Sequence, residues 1–97
     1  MKKQTEETML KGNVKDYLAW RGIFNYHILQ GMGAYKGIPD RIMHYKGMVH
    51  YLEIKKQGGK MSDNQLAFQE QCMNDCVPYH VVKSLEELED IISKDTG

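Results

Sequence analysis

The chain has no apolar run approaching the roughly 20 residues that a membrane span needs. That excludes a helical membrane anchor within these 97 residues. The opening Met1-Lys2-Lys3-Gln4-Thr5-Glu6-Glu7 has no apolar core, so it does not read as a secretory signal. Cysteine is scarce, at two residues, which leaves no disulfide framework to hold a small extracellular domain. Cys72 and Cys76 lack the spacing of a paired-thiol zinc motif. The simplest expectation is two reduced thiols buried on one helix face, with a zinc site or a disulfide as alternatives. These absences together predict a cytoplasmic protein. With so short a chain, one domain with a modest core is expected, and a partner subunit would help it.

The formal net charge is zero, but the charges are not evenly spread. Residues 30–60 carry six basic and two acidic groups, whereas residues 61–97 carry two basic and eight acidic. A basic patch rather than basic bulk is the usual footprint of a nucleic-acid binder. Solvated loop lysines would give the same count, and charge alone does not separate the two.

The two acids of that central segment are Asp40 and Glu53. Glu53 lies in Val49-His50-Tyr51-Leu52-Glu53-Ile54-Lys55, which otherwise reads as a buried strand. Strand side chains alternate faces, so Glu53 and Lys55 share one side, and Leu52 and Ile54 the other. An acid in an apolar strand is unfavourable unless it is paired or bound to a metal. An edge-strand ion pair with Lys55 would answer that. So would a divalent cation held between Glu53 and Asp40, because hard cations such as Mg2+ take oxygen ligands. Lys55 could then stabilise the phosphate transition state, or orient or deprotonate the attacking water.

Hydrophobic spacing predicts the order α-β-β-β-α-β-α. Leu10, Val14, Tyr17 and Leu18 mark a helix over 5–21, capped by Thr5 and stopped by Gly22. Strands are expected over 23–29, 40–45 and 48–55, with Lys46-Gly47 as a turn. A second helix opens at Ser62 and runs toward Pro78, with Leu66, Met73 and Cys76 on its apolar face and Phe68 and Cys72 beside them. A strand over 79–82 follows. Ser84 and Glu87 then form a capping box for a last helix with Leu85, Leu88, Ile91 and Ile92 as its stripe. Three strands in a meander and a fourth after a crossover give an α/β fold with a mixed central sheet flanked by helices. The four histidines, His27, His44, His50 and His80, all fall in strands and read as packed or solvated.

Asp40, then twelve residues, then Glu53-Ile54-Lys55, resembles the PD-(D/E)xK signature of metal-dependent nucleases. The flanking Lys36-Gly37-Ile38-Pro39-Asp40-Arg41, Gly59-Lys60-Met61-Ser62-Asp63-Asn64-Gln65 and Pro78-Tyr79-His80-Val81-Val82 occur in the order seen in the VRR-NUC (virus-type replication-repair nuclease) family. The resemblance spans roughly Glu7 to Ile92. It implies a restriction-endonuclease-like core and one VRR-NUC-like domain over residues 1–97. It implies Mg2+ or Mn2+ as cofactor, held by Asp40, Glu53, the Ile54 carbonyl and a first-helix acid. That acid is Glu7 in the favoured register, with Glu6 adjacent. Gln65 would lie near the catalytic set of Asp40, Glu53 and Lys55, although Ser-x-x-Gln is equally a capping box. Tyr35, Lys36, Arg41 and Lys60 flank the site in loops and would contact DNA phosphates, or are plain loop residues.

The implied activity is a structure-selective endonuclease on branched DNA, like a Holliday-junction resolvase, in a bacterial or phage-infected cell. A homodimer is expected, covering Met32, Met43, Tyr45 and Met48. A monomeric flap or end-trimming nuclease, and a non-catalytic DNA-binding module on the same fold, are the competing readings.

Overall fold

A computed structural model describes residues 5–93. The opening Met1 to Gln4, where no secretory core was expected, lies outside them, as do residues 94–97. The elements run α1 (Glu6–Trp20), β1 (Asn25–His27), β2 (Arg41–Tyr45), β3 (Met48–Ile54), α2 (Asp63–Asn74), β4 (Tyr79–Val82) and α3 (Leu85–Ser93). The sheet order is β1-β2-β3-β4, antiparallel except for the parallel β3–β4 pair. The expected meander plus one parallel strand is therefore present. No helix among the described residues is long and apolar enough to cross a membrane.

Local chemistry sets the ends of the elements. The Thr5 hydroxyl accepts from the Thr8 N–H at 3.1 Å and caps α1. At its other end Gly22 takes φ +70°, with Gly22 N–H donating to Ala19 and Ile23 N–H to Leu18. This is a Schellman ending. It spends Ile23 on closing the helix and so takes the first of the seven residues expected over 23–29; β1 itself is the three residues Asn25–His27. Lys46 and Gly47 both have positive φ, the conformation of a tight two-residue hairpin turn. At α3 the Ser84 hydroxyl accepts from Glu87 N–H, but Glu87 turns back to the Lys83 N–H instead of completing the box.

One face of the sheet carries the core. Val14 and Leu18 of α1, Met43, Leu52, Ile54 and Val82 of the strands, and Leu88 and Ile92 of α3 are all buried together. Tyr45 packs on this cluster and donates to the Ile92 carbonyl at 2.7 Å. So of the four residues expected to need a partner, Met43 and Tyr45 are already covered. Met32 and Met48 are exposed.

The other face is only partly covered by α2. Phe68 sets its ring against Tyr51 and Tyr79, and Cys72 is buried beneath the helix. Leu66 and Met73, expected on the packed side, are exposed. The helix ends at Asn74, ahead of Pro78, because Cys76 adopts φ +58° and breaks the run. Cys76 is exposed, so the expected pair of buried thiols is really one. Burial pushes the Cys72 thiol up, with the Asp75 charge adding to it, which keeps it protonated and unreactive.

Candidate metal centre and nuclease site

Asp40 stands just before β2, and Glu53 near the end of β3. Both positions follow from backbone pairing: Asp40 N–H donates to the Leu52 carbonyl at 3.1 Å, which draws the two acids to the same end of the sheet. Asp40 Oδ2 accepts from the Ile54 N–H at 2.7 Å, bracing its carboxylate across the β2–β3 junction. Pro39 is buried behind it. The Gln30 amide donates to the Ile38 and Pro39 carbonyls, both at 3.0 Å, and so fixes the approach to Asp40.

Glu53 is 1% exposed, and its Oε1 has no hydrogen-bond partner. β3 is a central strand, so the edge-strand alternative does not hold, and no Lys55–Glu53 ion pair forms among the described residues. Burial, then the Asp40 hydrogen bond and its charge, push the Glu53 carboxyl up to about 8, with Lys55 and Lys11 opposing. Two carboxyls held this close retain a proton near neutrality unless a positive charge arrives. Tyr79 adds a second buried polar atom, its hydroxyl, without a partner. Burial and the charges of Glu53, Cys72 and Asp40 hold that phenol in its protonated form.

Helix α1 supplies the cations. Lys11 Nζ lies 3.4 Å from Asp40 Oδ1 and 3.6 Å from Glu7 Oε2. Lys11, Lys15, Gln30, Asp40, Arg41 and Ile54 line one cleft of about 280 Å3. Glu7 thus reaches the site through Lys11. Among the described residues no three His, Cys, Asp or Glu side chains gather at metal-ligand spacing, so Glu7 does not join Asp40 and Glu53 in a three-acid cluster. Glu6 is exposed in the first turn.

A solved structure described as a VRR_NUC domain matches the chain with a TM-score of 0.79. The match covers 93% of this chain and 97% of the other, at 22% identity. The chain has the fold of a VRR_NUC domain. No protein-family model matches the sequence, and no curated protein does. The likeness is therefore carried by three-dimensional arrangement and a few short motifs.

Within this VRR_NUC fold the other expected residues are placed as follows. Gln65 is the third residue of α2, and its Oε1 accepts from Ser62 N–H at 2.9 Å while Ser62 Oγ accepts from Gln65 N–H. Its amide is thus engaged in the capping box. Lys55 is half-buried just past β3, on the Glu53 side. Lys36 and Lys60 are exposed in the loops before β2 and before α2. Arg41 lines the Asp40 cleft, but its guanidinium donates to Asn25 Oδ1 and ties β1 to β2.

Lys11, Lys15, Gln30 and Tyr79 were missed by sequence reasoning. The Glu7–Lys11–Lys15 spacing, four residues each, is a visible helical signal for one charged face. Gln30 and Tyr79 carry no local signal, because their roles depend on where distant segments meet.

Proposed function

We propose that this chain is a metal-dependent deoxyribonuclease of the VRR-NUC family. The observation that carries the reading is the buried Glu53, with its unpartnered Oε1, beside the half-buried Asp40. Two neighbouring carboxyls, with Asp40 opening onto the cleft it lines with Ile54, fit Mg2+ or Mn2+, which is commonly held by one or two carboxylates with water completing the shell. Asp40, Glu53 and the Ile54 carbonyl are the ligands we assign. When bound, the ion supplies positive charge that polarises the phosphate and lowers the pKa of the attacking water.

The chain's own groups do the rest. Asp40 is held rigid by the Ile54 N–H, so the site is set before substrate arrives. Lys55 orients the attacking water or neutralises charge growing on the phosphate oxygens. Glu7 acts through Lys11 as an outer acid, and Gln65 shapes the nearby wall through its cap. Lys11, Lys15, Lys36 and Lys60 receive the DNA backbone, and Arg41 adds charge from the start of β2.

The substrate we assign is branched DNA, cut by a homodimer whose twofold symmetry matches a four-way junction. Support for a second copy comes from the sheet face that α2 leaves open, where Phe24, Tyr26 and Val49 are exposed. The test is a cleavage assay on labelled junction, flap and linear DNAs in Mg2+ and Mn2+. Paired nicks on the junction that vanish in EDTA are expected. Cleavage that persists in EDTA, or none in either metal, overturns the reading.

A further inference from the structure

Between α2 and the loop preceding β2 lies an open groove of about 890 Å3 that also reaches Tyr51 of β3. Three aromatic rings, Tyr35, Tyr51 and Phe68, contribute to its lining. Phe68 meets Tyr51 edge-on at 5.2 Å and Tyr35 at 6.0 Å between ring centroids. Tyr35 is 72% exposed, a large ring presented to solvent rather than packed into the core. Its loop is nonetheless held in place: Gly37 has φ +87°, and a Cβ there would strike the Asn64 backbone at the start of α2. Lys36 lines the groove next to Tyr35, and Asp75 lies at the C-terminal end of α2. Tyr51 and Glu53 are two residues apart on one face of β3, a rise of roughly 7 Å.

Resting on the nuclease reading above, we infer that this groove holds an unpaired nucleobase of the DNA next to the phosphate at Asp40 and Glu53. The base stacks on Tyr35 with Phe68 and Tyr51 beneath. The charges orient it: Lys36 attracts the backbone on its side, and Asp75 repels phosphate from the other. A paired base cannot enter such a concave slot without leaving its partner, so the groove selects unpaired nucleotides. Stacking accepts every base, so the selection is for structure and not for sequence.

The test uses the full chain in Ca2+ with gapped and flapped DNAs carrying 2-aminopurine at successive unpaired positions. Fluorescence should fall on binding at one position, and the quench should disappear in Tyr35→Ala and persist in Tyr35→Phe. Affinity for the same DNA should fall about tenfold in Tyr35→Ala, the scale of one lost stacking contact. Affinity for a fully paired duplex should change less than about twofold. Circular dichroism checks that the variants fold. Wild-type binding with no quench at any position, or a quench that survives Tyr35→Ala, overturns the groove assignment and leaves the nuclease reading standing. Wild-type protein that binds none of these DNAs overturns both.

Discussion

Leu52, Glu53 and Ile54 are consecutive, all essentially buried, and belong to opposite faces of one sheet. On the α1–α3 face, burial removes apolar surface from water and holds the fold together. On the α2 face, burial removes a carboxyl from water and leaves it beside a second acid with one oxygen unpartnered. The first face is stabilised by being closed. The second is kept under electrostatic strain that a cation would relieve. Burial in this chain thus has two uses, and substitution should separate them.

The sharpest separation is in activity. Asp40→Asn and Glu53→Gln should each lower cleavage at least about a hundredfold, the scale of losing one preorganised electrostatic contact. Lys55→Ala should do likewise, and circular dichroism should show all three folded. Cleavage near the wild-type rate in either carboxylate variant would remove the assigned site. Leu52→Ala, one residue away, should instead cost about 2–5 kcal/mol of stability. That is a large part of the roughly 5–15 kcal/mol such a domain has. Chemical denaturation measures it, and a loss below about 1 kcal/mol would mean the core face is not what holds the sheet.

Acidity gives the next contrast. The folded Glu53 value, about 8, lies above its ordinary 4.5, so the folded state holds a proton that the unfolded state releases. The stability this provides is complete below about 4.5 and is lost as pH rises toward 8. Metal-free wild type should therefore lose up to about 1.4 kcal/mol per pH unit across that window. Glu53→Gln should flatten this part of the profile and melt higher at pH 8. A profile unchanged by the substitution would show that Glu53 ionises freely in the fold.

A smaller effect is expected from metal. Mg2+ at about a hundred times its dissociation constant should stabilise wild type by about 2.7 kcal/mol, seen as a higher melting temperature. Asp40→Asn should show a much smaller rise, and equal rises would exclude Asp40 as a ligand. Smallest is the DNA path. Neutralising Lys36 and Lys60 together should reduce the log–log salt slope of DNA binding by about two units, near one per lost phosphate contact. Neutralising Glu86, Glu87, Glu89 and Asp90 should leave the slope nearly unchanged. The reverse pattern would move the DNA to the other end of the molecule.

Some of this was legible before any coordinates. Thr5, Gly22, Ser62 and Lys46-Gly47 mark element ends through local hydrogen bonds and positive φ, and each does so where expected. Even the isolation of Glu53 in an apolar strand is a local signal, since alternation places it opposite Leu52 and Ile54. The errors lie where local signals compete with contacts from elsewhere. Ile23 and Phe24 have strand chemistry, yet Ile23 is taken by the end of α1. Leu66 and Met73 have core chemistry, yet α2 turns Phe68 and Cys72 to the sheet and leaves them in solvent.

Hydrophobic spacing and caps act over a few residues, so local sequence is enough to say which segments become helices and strands. Tertiary packing was needed to bring Lys11 of α1 to Asp40, to set Gln30 against the Ile38 and Pro39 carbonyls, and to bring Tyr35 to Phe68. Those contacts join segments that lie apart along the chain. No periodicity within one element can specify them, since they follow from where the sheet and its helices come to rest.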